Sequence, residues 1–133
     1  MSERQTFAPS AADIERLAEQ AIARMPDHFR RHLEGVVLQV DEFAHDEVLD
    51  QLGIEDAFDL TGLYTGRPIG EQSSMHSGEL PAMIHLYRRP LLEEWAETGV
   101  SLEELVAHVI VHEVGHHFGL SDDDMHALED QSE

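Results

Sequence analysis

Apolar positions along the chain change rhythm several times, and each change marks an element. Ile14, Leu17, Ala18, Ala21 and Ile22 recur at helical spacing, with Ser10 and Asp13 placed as an N-terminal capping pair and Pro26 as the stop. A first helix is expected over about residues 11 to 25. The β-branched run "GVVLQVDEF" from Gly35 suits a strand, and "HDEVLDQLG" reads as a short helix that Gly53 ends. From Ile54 to Pro81 no period survives. Gly62, Gly66, Pro68, Gly70, Ser73, Ser74 and Gly78 mark a long irregular connection there, and such segments inside a compact domain often carry function.

Rhythm returns at "AMIHLYRR", a strand with Met83, His85 and Tyr87 on one face and Ile84 and Leu86 on the other. Pro90 then begins a helix through Trp95 that Gly99 ends. Ser101 and Glu104 form a capping box for a long helix, and Gly119 stands where a helix closes on a left-handed residue. Residues from Asp123 onward read as a short polar helix or a frayed tail. No repeat, low-complexity run or linker interrupts the 133 residues, so one domain over 1–133 is expected.

Composition narrows the partners. With 28 acids against 8 bases the formal charge is -20, which repels phosphate backbones and anionic lipid headgroups. Neither nucleic acid nor a membrane surface is an expected partner. No cysteine is present, so a transition metal would have to be held by imidazole and carboxylate. The first residues lack a basic stretch followed by an apolar one, and no apolar run reaches bilayer-spanning length, so the cytoplasm is the expected location. Nothing in the pattern suggests a symmetric seam, and a monomer is the default.

The chemistry concentrates in "VHEVGHHFGLSDDD", Val111 to Asp124. His112 and His116 stand at i and i+4 in the last two turns of the long helix, so both imidazoles project from one face and can reach one ion. Glu113, rotated partly round the helix, can reach a metal-bound water without joining the coordination sphere, the position of a general base. Zinc with three protein ligands and a water brings that water's pKa toward neutrality, and an adjacent carboxylate takes its proton. For the third ligand, Gly119 lets the chain leave the helix sharply and Asp122 can swing back to the ion. Asp123, Asp124 and Glu129 remain rivals for that place. His108 extends the stripe one turn earlier, but a fourth imidazole would close the open position, so it is read as supporting or packed. His117 points to another face and is read as a surface or core histidine.

With these residues in view, the motif HExxHxxGxxD resembles a metzincin-type zinc peptidase with Asp in place of the third His. The ordered set "GLYTGRPIGEQSS", "MIHLYRRPLLEEW" and "HVIVHEVGHHFGLSDDDM" resembles, more closely, the small minimal zincin-like family over roughly residues 10 to 130. That resemblance implies a compact α+β fold, a small mixed sheet with an active-site helix carrying HExxH. It implies zinc on His112, His116 and Asp122, with Glu113 as catalytic acid/base. Larger metzincins continue into a subdomain with a methionine-containing turn, and Met125 is the only methionine after this motif.

The function expected is therefore zinc-dependent hydrolysis of peptide bonds by a zinc-bound water that Glu113 activates. Zincins commonly align a peptide on an edge strand, and Met83 to Arg88 is the candidate, an internal strand being the alternative. Tyr87, His85 or Tyr64 is a candidate donor to the oxyanion, unless each simply packs. The acidic surface points to basic or extended peptides. A rival class is a zinc-stabilised binding module with the same fold and little turnover, which the small size favours and Glu113 disfavours. A third is an acidic α+β domain without a physiological metal.

Overall fold

The computed structural model describes residues 7–66 and 81–119. Helix α1 (Ala11–Ala23) starts where expected. The Ser10 side chain accepts from the Asp13 N–H at 3.1 Å, and the Asp13 carboxylate accepts from the Ser10 N–H at 2.9 Å, which together satisfy two donors a helix start leaves open. It ends two residues before Met25, and a single turn, α2 (Asp27–Arg30), then runs into a 3₁₀ turn at Arg31–Leu33. Strand β1 (Val37–Asp41) and helix α3 (Asp46–Leu52) follow, with Gly53 left-handed at φ 70° as the helix stop.

The irregular stretch expected from Ile54 to Pro81 contains regular structure after all. A 3₁₀ turn at Ala57–Asp59 leads to a four-residue strand, β2 (Gly62–Thr65). Four residues headed by glycine are too few to show a period. Pairing with a neighbour makes this strand, although Leu63, Tyr64 and Thr65 suit one.

Strand β3 (Met83–Tyr87) lies in the middle of the sheet, whose order is β1-β3-β2. It pairs parallel with β1, Val37 opposite Met83 through Asp41 opposite Tyr87, and antiparallel with β2, Gly62 opposite Leu86 through Thr65 opposite Met83. The Met83 to Arg88 segment is thus the internal strand of the two alternatives, and Arg88 already belongs to the next helix.

Helix α4 (Arg88–Thr98) grows from β3 without a loop, two residues earlier than Pro90 suggested. Proline fits here because the first turn of a helix has no internal acceptor for its missing N–H. Arg88 clips the junction by donating to the Pro9 carbonyl at 2.7 Å and pairing with Glu42 at 2.8 Å. Gly99, left-handed at φ 74°, ends α4, and Ser101 caps α5 (Leu102–Phe118) by accepting from the Glu104 N–H at 3.0 Å.

The core sits between one sheet face and the helix pair α1 and α5. Ile14, Ala18, Ile84, Leu86, Val106, Ile110 and Val114 are buried there. A smaller cluster of Ala44, Leu49 and Tyr87 lies on the opposite side of β3. Helices packed on a small mixed sheet make this the compact α+β fold that the resemblance implied. No helix among the described residues is long and apolar enough to cross a membrane.

Candidate active site

Helix α5 is apolar round most of its circumference, burying Leu105, Val106, Val109, Ile110 and Val114, and opens to solvent along one stripe. His108, His112 and His116 occupy it at one-turn intervals, with successive ring centroids 6.4 and 5.2 Å apart. The two imidazoles read from the sequence as ligands therefore share an exposed face one turn apart.

Glu113 is turned the other way and is only 6% exposed. Its Oε1 lies 3.1 Å from His116 Nδ1 but has no hydrogen-bond partner among the described residues, because that contact lacks hydrogen-bond geometry. A buried carboxylate oxygen without a partner is costly, and native proteins keep few of them outside strained or chemically active positions. Burial pushes the carboxyl up to about 7 from its ordinary 4.5, with the charge of His112 and the Tyr64 backbone N–H opposing the shift. An acid so placed exchanges a proton near neutral pH, as a general base must.

Strand β2 supplies the wall behind Glu113, and Gly62 is what lets it come close. A Cβ there would stand 2.6 Å from Val109 Cγ1, 3.3 Å from the His85 carbonyl and 3.5 Å from Glu113 Cγ. Only glycine allows this approach. The register then aims a donor at the carboxylate. The Tyr87 N–H bonds to the Thr61 carbonyl at 3.0 Å, so the bonded pairs with β3 are those of Thr61, Leu63 and Thr65, and Tyr64 lies between them. Its N–H points away from β3 and donates to Glu113.

Of the three candidate oxyanion donors, His85 and Tyr87 lie on the sheet face away from α5, with Leu63. His85 Nε2 is 3.3 Å from Thr65 Oγ1 and its ring stacks on Tyr87. Burial lowers the His85 pKa and raises that of Tyr87 to about 12. Tyr64 faces α5, but its hydroxyl is 2.7 Å from His117 Nδ1. His117 itself is a core histidine, 3% exposed, held below its ordinary pKa chiefly by burial, with Nε2 3.0 Å from the His32 carbonyl.

Two imidazoles beside a carboxylate suit zinc, and the unpartnered Glu113 oxygen fits a group that takes up chemistry on this face. Among the described residues no three His, Asp or Glu side chains come close enough to hold an ion. Asp122, the expected third ligand, and its rivals Asp123, Asp124 and Glu129 all lie outside the described residues, as does Met125. Gly119, left-handed at φ 69°, does turn the chain out of α5 just before them.

Helix α5 thus carries HExxH with its two histidines on an exposed face and its glutamate buried against β2, which is at the sheet edge among the described residues. A family model described as zincin-like metallopeptidase matches residues 33–132, and the chain belongs to that family. No curated protein matches the chain.

Proposed function

We propose that this protein is a zinc-dependent peptidase in which His112, His116 and Asp122 hold the ion and Glu113 is the general base. The observation that carries the reading is the Glu113 carboxylate, buried, with one oxygen unpartnered 3.1 Å from His116 Nδ1 and a proton affinity near neutrality. Zinc, when bound, supplies Lewis acidity that makes a water easier to deprotonate and polarises the scissile carbonyl. Glu113 takes the proton of the attacking water and returns it to the leaving amine. The Tyr64 N–H keeps the carboxylate aimed while it changes charge. An extended peptide would align on β2 rather than β3, because among the described residues β2 stands at the sheet edge beside Glu113 and β3 is internal.

The test uses untagged protein loaded with zinc, digested against a peptide library beside Glu113→Gln. The parent is expected to cleave and to hold about one zinc per chain, and the variant to keep the metal and lose cleavage by at least a hundredfold, roughly the contribution of a general base. Equal cleavage by both would remove Glu113 from the mechanism. A parent that binds zinc but cuts nothing would be the binding module instead.

A further inference from the structure

The HExxH reading leaves His117 without a task, yet it is the most enclosed histidine of α5. Its two ring nitrogens have distinct partners. The His32 backbone oxygen can only accept, so Nε2 carries the hydrogen in the 3.0 Å contact. In the neutral ring Nδ1 is then an acceptor, and the Tyr64 hydroxyl donates to it across 2.7 Å. One imidazole thus ties together the 3₁₀ turn Arg31–Leu33, helix α5 and strand β2, three elements with no covalent reason to hold register.

What hangs on that tie is the other polar group of Tyr64. Contact of Gly62 with Val109 sets how closely β2 approaches α5, but apolar contact has no direction and does not fix how the strand slides along the helix. The ladder with β3 sets the strand's register, and the hydroxyl bond adds a directional tie to α5 itself. Because the same residue offers its backbone N–H outward from the sheet to Glu113, anchoring its ring also anchors that N–H. Phe118 supports the arrangement, its ring edge-on to His32 at 5.7 Å and to Phe29 at 5.1 Å.

We propose that His117 is a positioning residue, which by joining the Tyr64 hydroxyl to the His32 carbonyl holds β2 so that the Tyr64 N–H stays on the Glu113 carboxylate. The proposal rests on Glu113 being the base, and its test separates the two. Amide hydrogen exchange is followed on the metal-free full chain for the parent, Tyr64→Phe, His117→Phe and His117→Gln, and kcat and KM are measured on the zinc-loaded proteins. His117→Phe keeps a flat ring without nitrogens, while Gln restores one donor and one acceptor.

In the two Phe variants the amide of residue 64 is expected to exchange at least about tenfold faster relative to those of Leu63 and Thr65, which bond to β3. For the same variants kcat falls about tenfold with KM within twofold, and His117→Gln recovers part of both effects. An unchanged ratio between residue 64 and its neighbours overturns the proposal, as does a uniform loss of protection across β2 and β3, the mark of a merely structural bond. Tyr64→Phe, which deletes a single oxygen, keeps the test decisive if His117→Phe does not fold. Should the parent cleave nothing, the exchange ratio still decides the positioning, while the peptidase reading fails on its own.

Discussion

Replacing Glu113 by Gln should stabilise the metal-free protein, and only above the acid range. The carboxyl is pushed up to about 7 in the fold against an ordinary 4.5, mainly by burial. At roughly 1.4 kcal/mol per pH unit, keeping it ionised inside the fold costs on the order of 3 kcal/mol. The sign follows from proton counting. Between about pH 4.5 and 7 the native chain holds a proton that the unfolded chain has released, so this group's contribution to stability falls as pH rises and is at its worst above 7. Glutamine has nearly the same shape, still accepts from the Tyr64 N–H and cannot ionise. Urea unfolding of both proteins without metal, from pH 4.5 to 8.5, should show curves that coincide at the acid end. They should separate by about 1–3 kcal/mol at the alkaline end, with the variant the more stable. A difference that does not change across this range would refute the claim that a buried, easily protonated carboxylate sits on α5.

Other outcomes follow from the same geometry. Gly62→Ala should destabilise by about 1–3 kcal/mol, because its Cβ meets Val109 Cγ1 at 2.6 Å; the double variant with Val109→Ala should recover part of the loss in the same unfolding assay. Zinc at about a hundredfold over its Kd should add roughly 2.7 kcal/mol to the parent, seen as a rise in Tm, and His116→Ala should abolish that rise along with the bound metal. Ser101→Ala removes the acceptor for the Glu104 N–H at the start of α5 and should cost about 1 kcal/mol without altering zinc content.

Where the sequence speaks through local rules, it was legible. Ser10 with Asp13 and Ser101 with Glu104 start helices, and Gly53, Gly99 and Gly119 end them in the left-handed region, because caps are decided by neighbours in the chain. The spacing of His112, Glu113 and His116 was readable for the same reason, since a helix fixes which side chains share a face. Strand β2 and the central place of β3 were not, because pairing depends on residues far apart. Gly62 looked like a loop marker, although a glycine heading the run Leu63, Tyr64, Thr65 carries the signal of a strand pressed against another element. The link from Tyr64 to Glu113 and His117 needs three segments in space, and no spacing rule reaches that far.

The sheet also bears on the order in which the protein can fold. β1 acquires its parallel partner only when β3 has been made, and α1 packs on α5, the last described helix. During synthesis the N-terminal half therefore waits with its apolar surface uncovered, and the non-local closure slows collapse into the native state. The segment that ends this waiting is the one bearing His112 and His116. A nascent chain thus completes its core and presents its two imidazoles in a single late event.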